Sequence, residues 1–191
     1  MNRKDYILFD LDGTLTDPKE GITKSVQHAL AHFGIQTDDL DSLTPFIGPP
    51  LRDSFKKYYG FSDEQAWEGV QAYREYFSVR GWVQNKEYPG IKEMLEALKE
   101  AGRVLLVATS KPEKFARKIL EHFDMADYFD FIGGADMGET RVRKGDVIRY
   151  VLEQCGLEPD DETIGRCVMV GDREHDVLGA RECGMECVGV L

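Results

Sequence analysis

YILFDLDGTLTD, residues 6–17, is the stretch from which the rest of the chain is read. Tyr6, Ile7, Leu8 and Phe9 form a short apolar run with the character of a fully buried strand. Asp10 and Asp12 follow with one residue between them, and Gly13 breaks the chain directly after. Two carboxylates at the end of a buried strand repel each other and lose hydration, so a metal, a cation or a shared proton must offset the loss. In an open α/β sheet the carboxyl end of a strand is also where ligands bind. A strand followed by an acidic Asp-Gly turn would carry the same letters, and this stretch alone leaves both readings open.

Beyond Asp17 the pattern turns helical. Ile22, Val26, Ala29, Leu30 and Phe33 are spaced for one face of a helix stopped by Gly34. Leu51 begins a second helical stretch that Gly60 ends, and Asp63 to Val79 is a third. No strand is expected between Asp17 and Tyr88, and Trp67, Tyr73, Tyr76 and Phe77 are expected to supply the core of this insert. His28 and His32 have metal-like spacing on a helix, but with no third ligand in view they read as an ordinary helix face.

From Pro89-Gly90 onward helix and strand alternate. Helices are expected over 91–101, 112–123, 146–155 and 173–183, and strands over 103–108, 128–132, 167–172 and 186–191. Strands separated by helix-length connections imply βαβ units and a parallel sheet.

Three further strand ends carry polar chemistry. The strand over 103–108 runs into Thr109-Ser110-Lys111, where a hydroxyl and backbone amides at a helix start suit a phosphoryl oxygen, as they also suit a helix N-cap. Lys144, within RVRKGD, lies just before the next helix, a place where a lysine is commonly a solvated surface charge. The strand CVMVGD ends in Asp172, and Asp176 lies four residues on, along the same face of the following helix. Asp172 would then sit beside Asp10 across the sheet. Three converging carboxylates call for a hard divalent cation with oxygen ligands, and Mg²⁺ fits that chemistry.

DLDGT at Asp10–Thr14, VATSK with Thr109, Lys144 before a helix, and VGDREHD with Asp172 and Asp176 resemble, in order, the four motifs of the haloacid dehalogenase-like hydrolase superfamily. The likeness spans nearly the whole chain and is greatest to phosphoglycolate phosphatase-like and 5′-nucleotidase-like bacterial phosphatases with a helical cap. It implies an α/β fold, a parallel Rossmann-like sheet flanked by helices over residues 1–17 and 88–191, with an inserted all-helical cap over 18–87. It implies Asp10 as nucleophile, Asp12 as acid and base, and Thr109 and Lys144 as catalytic partners of the phosphoryl group. Gly13 and Ser110 would adjoin the substrate. Mg²⁺ would be held by Asp10, the backbone carbonyl of Asp12 and Asp172, with Asp176 behind them. Arg52, after IGPP, matches a phosphate-binding arginine of mutase-like relatives and equally suits a helix surface. His175 lies inside the last motif without a fixed role.

The implied activity is hydrolysis of a small phosphomonoester, a nucleoside 5′-monophosphate or phosphoglycolate, through an aspartyl-phosphate. A sugar-phosphate mutase of the β-phosphoglucomutase type would share the motifs and the cap, and a phosphate-binding module with weak turnover would keep them too. Related phosphatases continue past the strand containing Val188, whereas this sequence stops at Leu191. The last strand is therefore expected to be an edge with little cover.

Composition narrows the partners. The 191-residue chain carries a net charge of −11, which disfavours a nucleic-acid or anionic membrane surface and requires a phosphate to be attracted locally. Its four cysteines form no CxxC pair and suit a reducing cytosol, and no apolar run is long enough for a bilayer. A cytoplasmic monomer or homodimer is expected.

Overall fold

A computed structural model describes residues 4–138 and 140–190. In chain order, β1 (Tyr6–Phe9) and β2 (Thr16–Asp17) precede the helices α1 (Lys19–His32), α2 (Leu51–Tyr59) and α3 (Asp63–Val79). Then come β3 (Lys86–Glu87), α4 (Ile91–Glu100), β4 (Val104–Pro112), α5 (Glu113–His122) and β5 (Phe131–Ala135). The chain continues with α6 (Lys144–Gln154), α7 (Asp161–Gly165), β6 (Cys167–Gly171), α8 (Glu174–Glu182) and β7 (Glu186–Gly189). It forms two compact units, one comprising the chain up to Thr16 and from Glu87 onward, the other Asp17–Lys86.

In the first unit five strands make a parallel sheet in the order β5-β4-β1-β6-β7. The apolar run of β1 lies at the centre, its Phe9 level with Val107 of β4 on one side and Val170 of β6 on the other. Leu8 is fully enclosed, as a strand covered on both faces must be, within a cluster that includes Leu106, Val147, Ile148, Val151 and Met169. Successive strands run outward from β1 first to β4 and β5, then to β6 and β7. That reversal of direction opens a crevice at the carboxyl ends of β1, β4 and β6.

Several boundaries differ from the sequence expectation. The strand expected over 128–132 is β5 at Phe131–Ala135, with Tyr128 in a 3-10 turn before it. The glycines thought to end that strand lie inside it. A Cβ on Gly133 would strike Val151 of α6, and one on Gly134 would strike the backbone at Lys111 and Glu113, so close packing requires glycine in both places. The neighbouring strand, β4, extends through the polar residues to Pro112, and Lys144 is the first residue of α6. The short α7 was not expected. Leu191, the expected end of the last strand, lies outside the described residues; β7 closes at Gly189.

In the helical unit α1 packs on α3 through Ile22, Val26, Ala29 and Leu30 on one side and Ala66, Val70, Tyr73 and Phe77 on the other, all buried. Of the four aromatics expected in this core, Tyr73 and Phe77 are in it, while Trp67 is 40% exposed and Tyr76 is half-buried. Phe46 and Phe55 provide the missing bulk, and Phe55 stacks on Phe61 at 5.7 Å. The Ser62–Gln65 capping box starts α3, and Gly60 at φ 66° ends α2. His28 lies 3.7 Å from Glu75 and His32 2.8 Å from Glu68, side-chain contacts on an exposed face. Against the expectation of no strand in this stretch, Lys86–Glu87 pairs with Thr16–Asp17 in a two-residue ribbon too short and polar to show a pattern. No helix among the described residues is long and apolar enough to cross a membrane.

Candidate active site

The chain leaves β1 into the site at once. The Asp10 backbone N–H donates to Val170 O at 2.9 Å, which continues the β1–β6 pairing by one residue. Behind it the loop closes on itself: Leu11 O accepts from Leu15 and Thr16, and the Gly13 N–H donates to Thr16 O at 2.8 Å. Gly13 has φ 88°, and a Cβ there would collide with the Asp172 carboxylate. Only glycine allows both the left-handed turn and the close approach of β6's terminal acid.

Asp10, Asp172 and Asp176 each direct a carboxylate oxygen into one cluster, all within 4.8 Å of one another. Lys144 reaches in from the first turn of α6, its Nζ 2.9 Å from Asp10 Oδ1 and 2.8 Å from Asp176 Oδ1. It also donates to Ala108 O at 2.9 Å. Gly179 of α8 makes this possible, since a Cβ there would overlap the Lys144 stem. Asp176 also accepts the Arg173 backbone N–H through Oδ2 at 3.0 Å, which anchors it to the start of α8. Arg173 Nε lies 2.9 Å from Asp172.

Asp12 points elsewhere. Its Oδ2 accepts from Lys111 Nζ at 2.5 Å, and its Oδ1 is buried without a hydrogen-bond partner among the described residues. Thr109 is buried at the turn, its Oγ1 accepting the Lys111 backbone N–H at 3.2 Å, so its own O–H remains available to donate. Ser110 is half-buried beside it.

Burial pushes the Asp12 carboxyl above its ordinary value, with the Lys111 ammonium opposing and the Asp10 charge adding to the rise. Burial also raises Asp172 and Asp176, despite Arg173 beside the first and Lys144 beside the second. Burial draws the Lys144 ammonium down, but Asp10 and Asp176 together outweigh it and hold Lys144 above the usual lysine range.

Thus Asp10, Asp172, Asp176 and Lys144 meet in one cluster, and Asp12, Thr109 and Lys111 meet beside it. Arg52 belongs to the helical unit, where it lies 3.7 Å from Asp63. His175 is half-buried on α8. Sequence reading placed Asp176 behind the metal ligands, whereas its oxygen lies in the same cluster as theirs; it gave Lys111 no role at all. The three-carboxylate cluster suits a hard cation: its donors are all oxygens, and a single buried ammonium, though it touches two of the acids, supplies only one positive charge against three carboxylates.

A family model described as haloacid dehalogenase-like hydrolase matches residues 7–190. A 5′-nucleotidase of Pseudomonas aeruginosa is 51% identical over 184 residues, covering 96% of this chain and 81% of that protein. The tyrosine-protein kinase PtkA of Mycobacterium tuberculosis is 44% identical over 184 residues, covering 96% of this chain and 61% of that protein. Among solved structures, that of a predicted phosphatase from Clostridium acetobutylicum is 47% identical with a TM-score of 0.94, covering 98% of this chain and 85% of that one.

Proposed function

The chain belongs to the haloacid dehalogenase-like hydrolase family, and on that footing we propose that it is a phosphatase hydrolysing a small phosphomonoester through an aspartyl-phosphate on Asp10. The substrate class is a nucleoside 5′-monophosphate or phosphoglycolate. The observation that carries the reading is the Lys144 ammonium clamped between Asp10 and Asp176 at the sheet's switch point. A buried, acid-rich cluster is a poor device for stability and a good one for holding a cation and a phosphate.

Each residue has a part. Lys144 holds the Asp10 carboxylate in place from 2.9 Å, and an Asp10 oxygen attacks phosphorus in line as the ester bond breaks. Asp12, whose burial favours its acid form, gives a proton to the departing oxygen. The resulting Asp12 carboxylate then takes a proton from the water that attacks the aspartyl-phosphate. Thr109 donates its hydroxyl hydrogen to a phosphoryl oxygen. Asp10, Asp172 and the Asp12 carbonyl, with Asp176 adjoining, would hold Mg²⁺, which supplies charge neutralisation at the phosphoryl oxygens when bound.

The test is a panel of phosphomonoesters incubated with the protein and Mg²⁺, scored for inorganic phosphate. Release from 5′-monophosphates or phosphoglycolate is expected; none from any member refutes the reading. Because one relative is a tyrosine-protein kinase, the same reactions with ATP and added protein follow transfer to tyrosine. Phosphotyrosine without phosphate release would replace hydrolysis by transfer.

A further inference from the structure

Lys111 has no part in the steps above, yet with Lys144 it is one of two buried lysines among the described residues. The strand carries it inward: β4 continues past Thr109, and its register to β5 shifts between Thr109 and Pro112. The Nζ meets Oδ2 of Asp12, while Oδ1 of Asp12 is buried and makes no hydrogen bond among the described residues. An ammonium has three donors and no acceptor. The oxygen it touches must therefore accept, and since the carbonyl-type oxygen of an acid is the better acceptor, the ammonium favours the acid proton of Asp12 on the other oxygen.

We propose that Lys111 is a positioning residue that pins Oδ2 of Asp12 and so assigns proton transfer to Oδ1. The inference rests on the phosphatase reading. As Asp10 bonds to phosphorus, the bond from phosphorus to the ester oxygen breaks and its electron pair stays on that oxygen. The proton on Asp12 Oδ1 moves there, giving the free alcohol and an Asp12 carboxylate. In the second half a water oxygen bonds to phosphorus, the phosphorus–Asp10 bond breaks, and the water proton returns to Oδ1. Without Lys111 the Asp12 carboxyl can turn, and either oxygen can face the reacting centre.

Leaving-group dependence separates this from a structural role. Single-turnover rates are measured on p-nitrophenyl, phenyl and p-methoxyphenyl phosphate for wild type, Lys111→Met, Lys111→Gln, Lys111→Arg and Asp12→Asn. Nitrophenolate departs as a stable anion and needs no proton; the other two need one. General-acid catalysis contributes about 10²–10⁴-fold. Lys111→Met should therefore lose about a hundredfold on phenyl and methoxyphenyl phosphate, but less than about tenfold on the nitrophenyl ester. Lys111→Gln carries the same expectation should the Met variant fold poorly, and Lys111→Arg should regain most of the loss. Lys111→Met added to Asp12→Asn should cost little more, because the two act through one proton. Equal losses on all three esters, or no loss, overturn the inference while leaving the phosphatase reading intact. A wild type that turns over none of the three overturns both.

Discussion

Replacing Lys144 by Met removes the ammonium 2.9 Å from Asp10 and 2.8 Å from Asp176 while keeping most of the apolar stem. The two carboxylates are 5% and 1% exposed, so water cannot take the ammonium's place. Breaking a buried pair by deleting one partner costs about 3–5 kcal/mol. For a chain of this size about 1 kcal/mol moves Tm by roughly 2–4 °C, so the variant should melt about 6–20 °C below wild type in chelator. The pH dependence has a definite sign. Burial already holds Asp172 and Asp176 above the ordinary carboxyl value, and removing Lys144, whose charge opposes that rise at Asp176, lifts Asp176 further. The folded variant then binds more protons than the unfolded chain from about pH 3.9 up to those raised values, so its stability falls as pH rises. The gap to wild type should accordingly narrow between pH 7.5 and pH 5.5. Saturating Mg²⁺ should narrow it too, since the variant has lost the ammonium that competes with the cation for Asp10 and Asp176, and each tenfold gain in its affinity over wild type adds about 1.4 kcal/mol to the variant alone. Melting curves by circular dichroism at both pH values, with chelator and with Mg²⁺, provide the measurement. A variant within about 2 °C of wild type under every condition would show that Lys144 does not hold the acids in place.

Asp10→Asn should lose about a thousandfold or more in kcat while Tm is kept, because an amide cannot form the acyl-phosphate; a tenth of the activity remaining would exclude Asp10 as nucleophile. Activity should vanish in excess chelator and return with Mg²⁺, while Ca²⁺ should inhibit, since its longer bonds and larger ligand number can draw in both Asp10 oxygens; full turnover in chelator would sink the metal assignment. Burial pushes the Cys167 thiol up to about 11, against the opposing charges of Lys4 and Arg166. Only about one molecule in a thousand would then carry its thiolate at pH 8, so iodoacetamide should spare Cys167 in the native protein and reach it in urea; rapid native labelling, read by peptide mass, would contradict this.

The sheet was legible because most of its strands are built on apolar runs between helix-length segments, and the two differ in period. Central strands such as β1 and β6 need no polar residue until they reach the crevice, so their ends coincide with the first acids, Asp10 and Asp172. The exceptions have one cause. Gly133 and Gly134 look like a stop in a single sequence, but they are in the strand because Val151 and the backbone at Lys111 and Glu113 press against it. Trp67 looks like core by type and is 40% exposed because Ala66, Val70, Tyr73 and Phe77 form the buried face of α3 instead. Packing partners distant in sequence decide both, and no local pattern records them.

Lys111 illustrates the same limit within the site. At the end of an apolar run a lysine reads as a surface charge, and nothing nearby announces that it is buried; its partner Asp12 is 99 positions away. A charge count points further than the pattern does. Asp10, Asp12, Asp172 and Asp176 set four carboxylates against the single lysine expected among them, Lys144, and a divalent cation serves only those that can face it together. Asp12 is not a member of that cluster and needs a cation of its own. The strand beside β1 that ends in one is β4, with Thr109-Ser110-Lys111. Balancing charge strand by strand across the sheet, rather than motif by motif along the chain, therefore leads to Lys111.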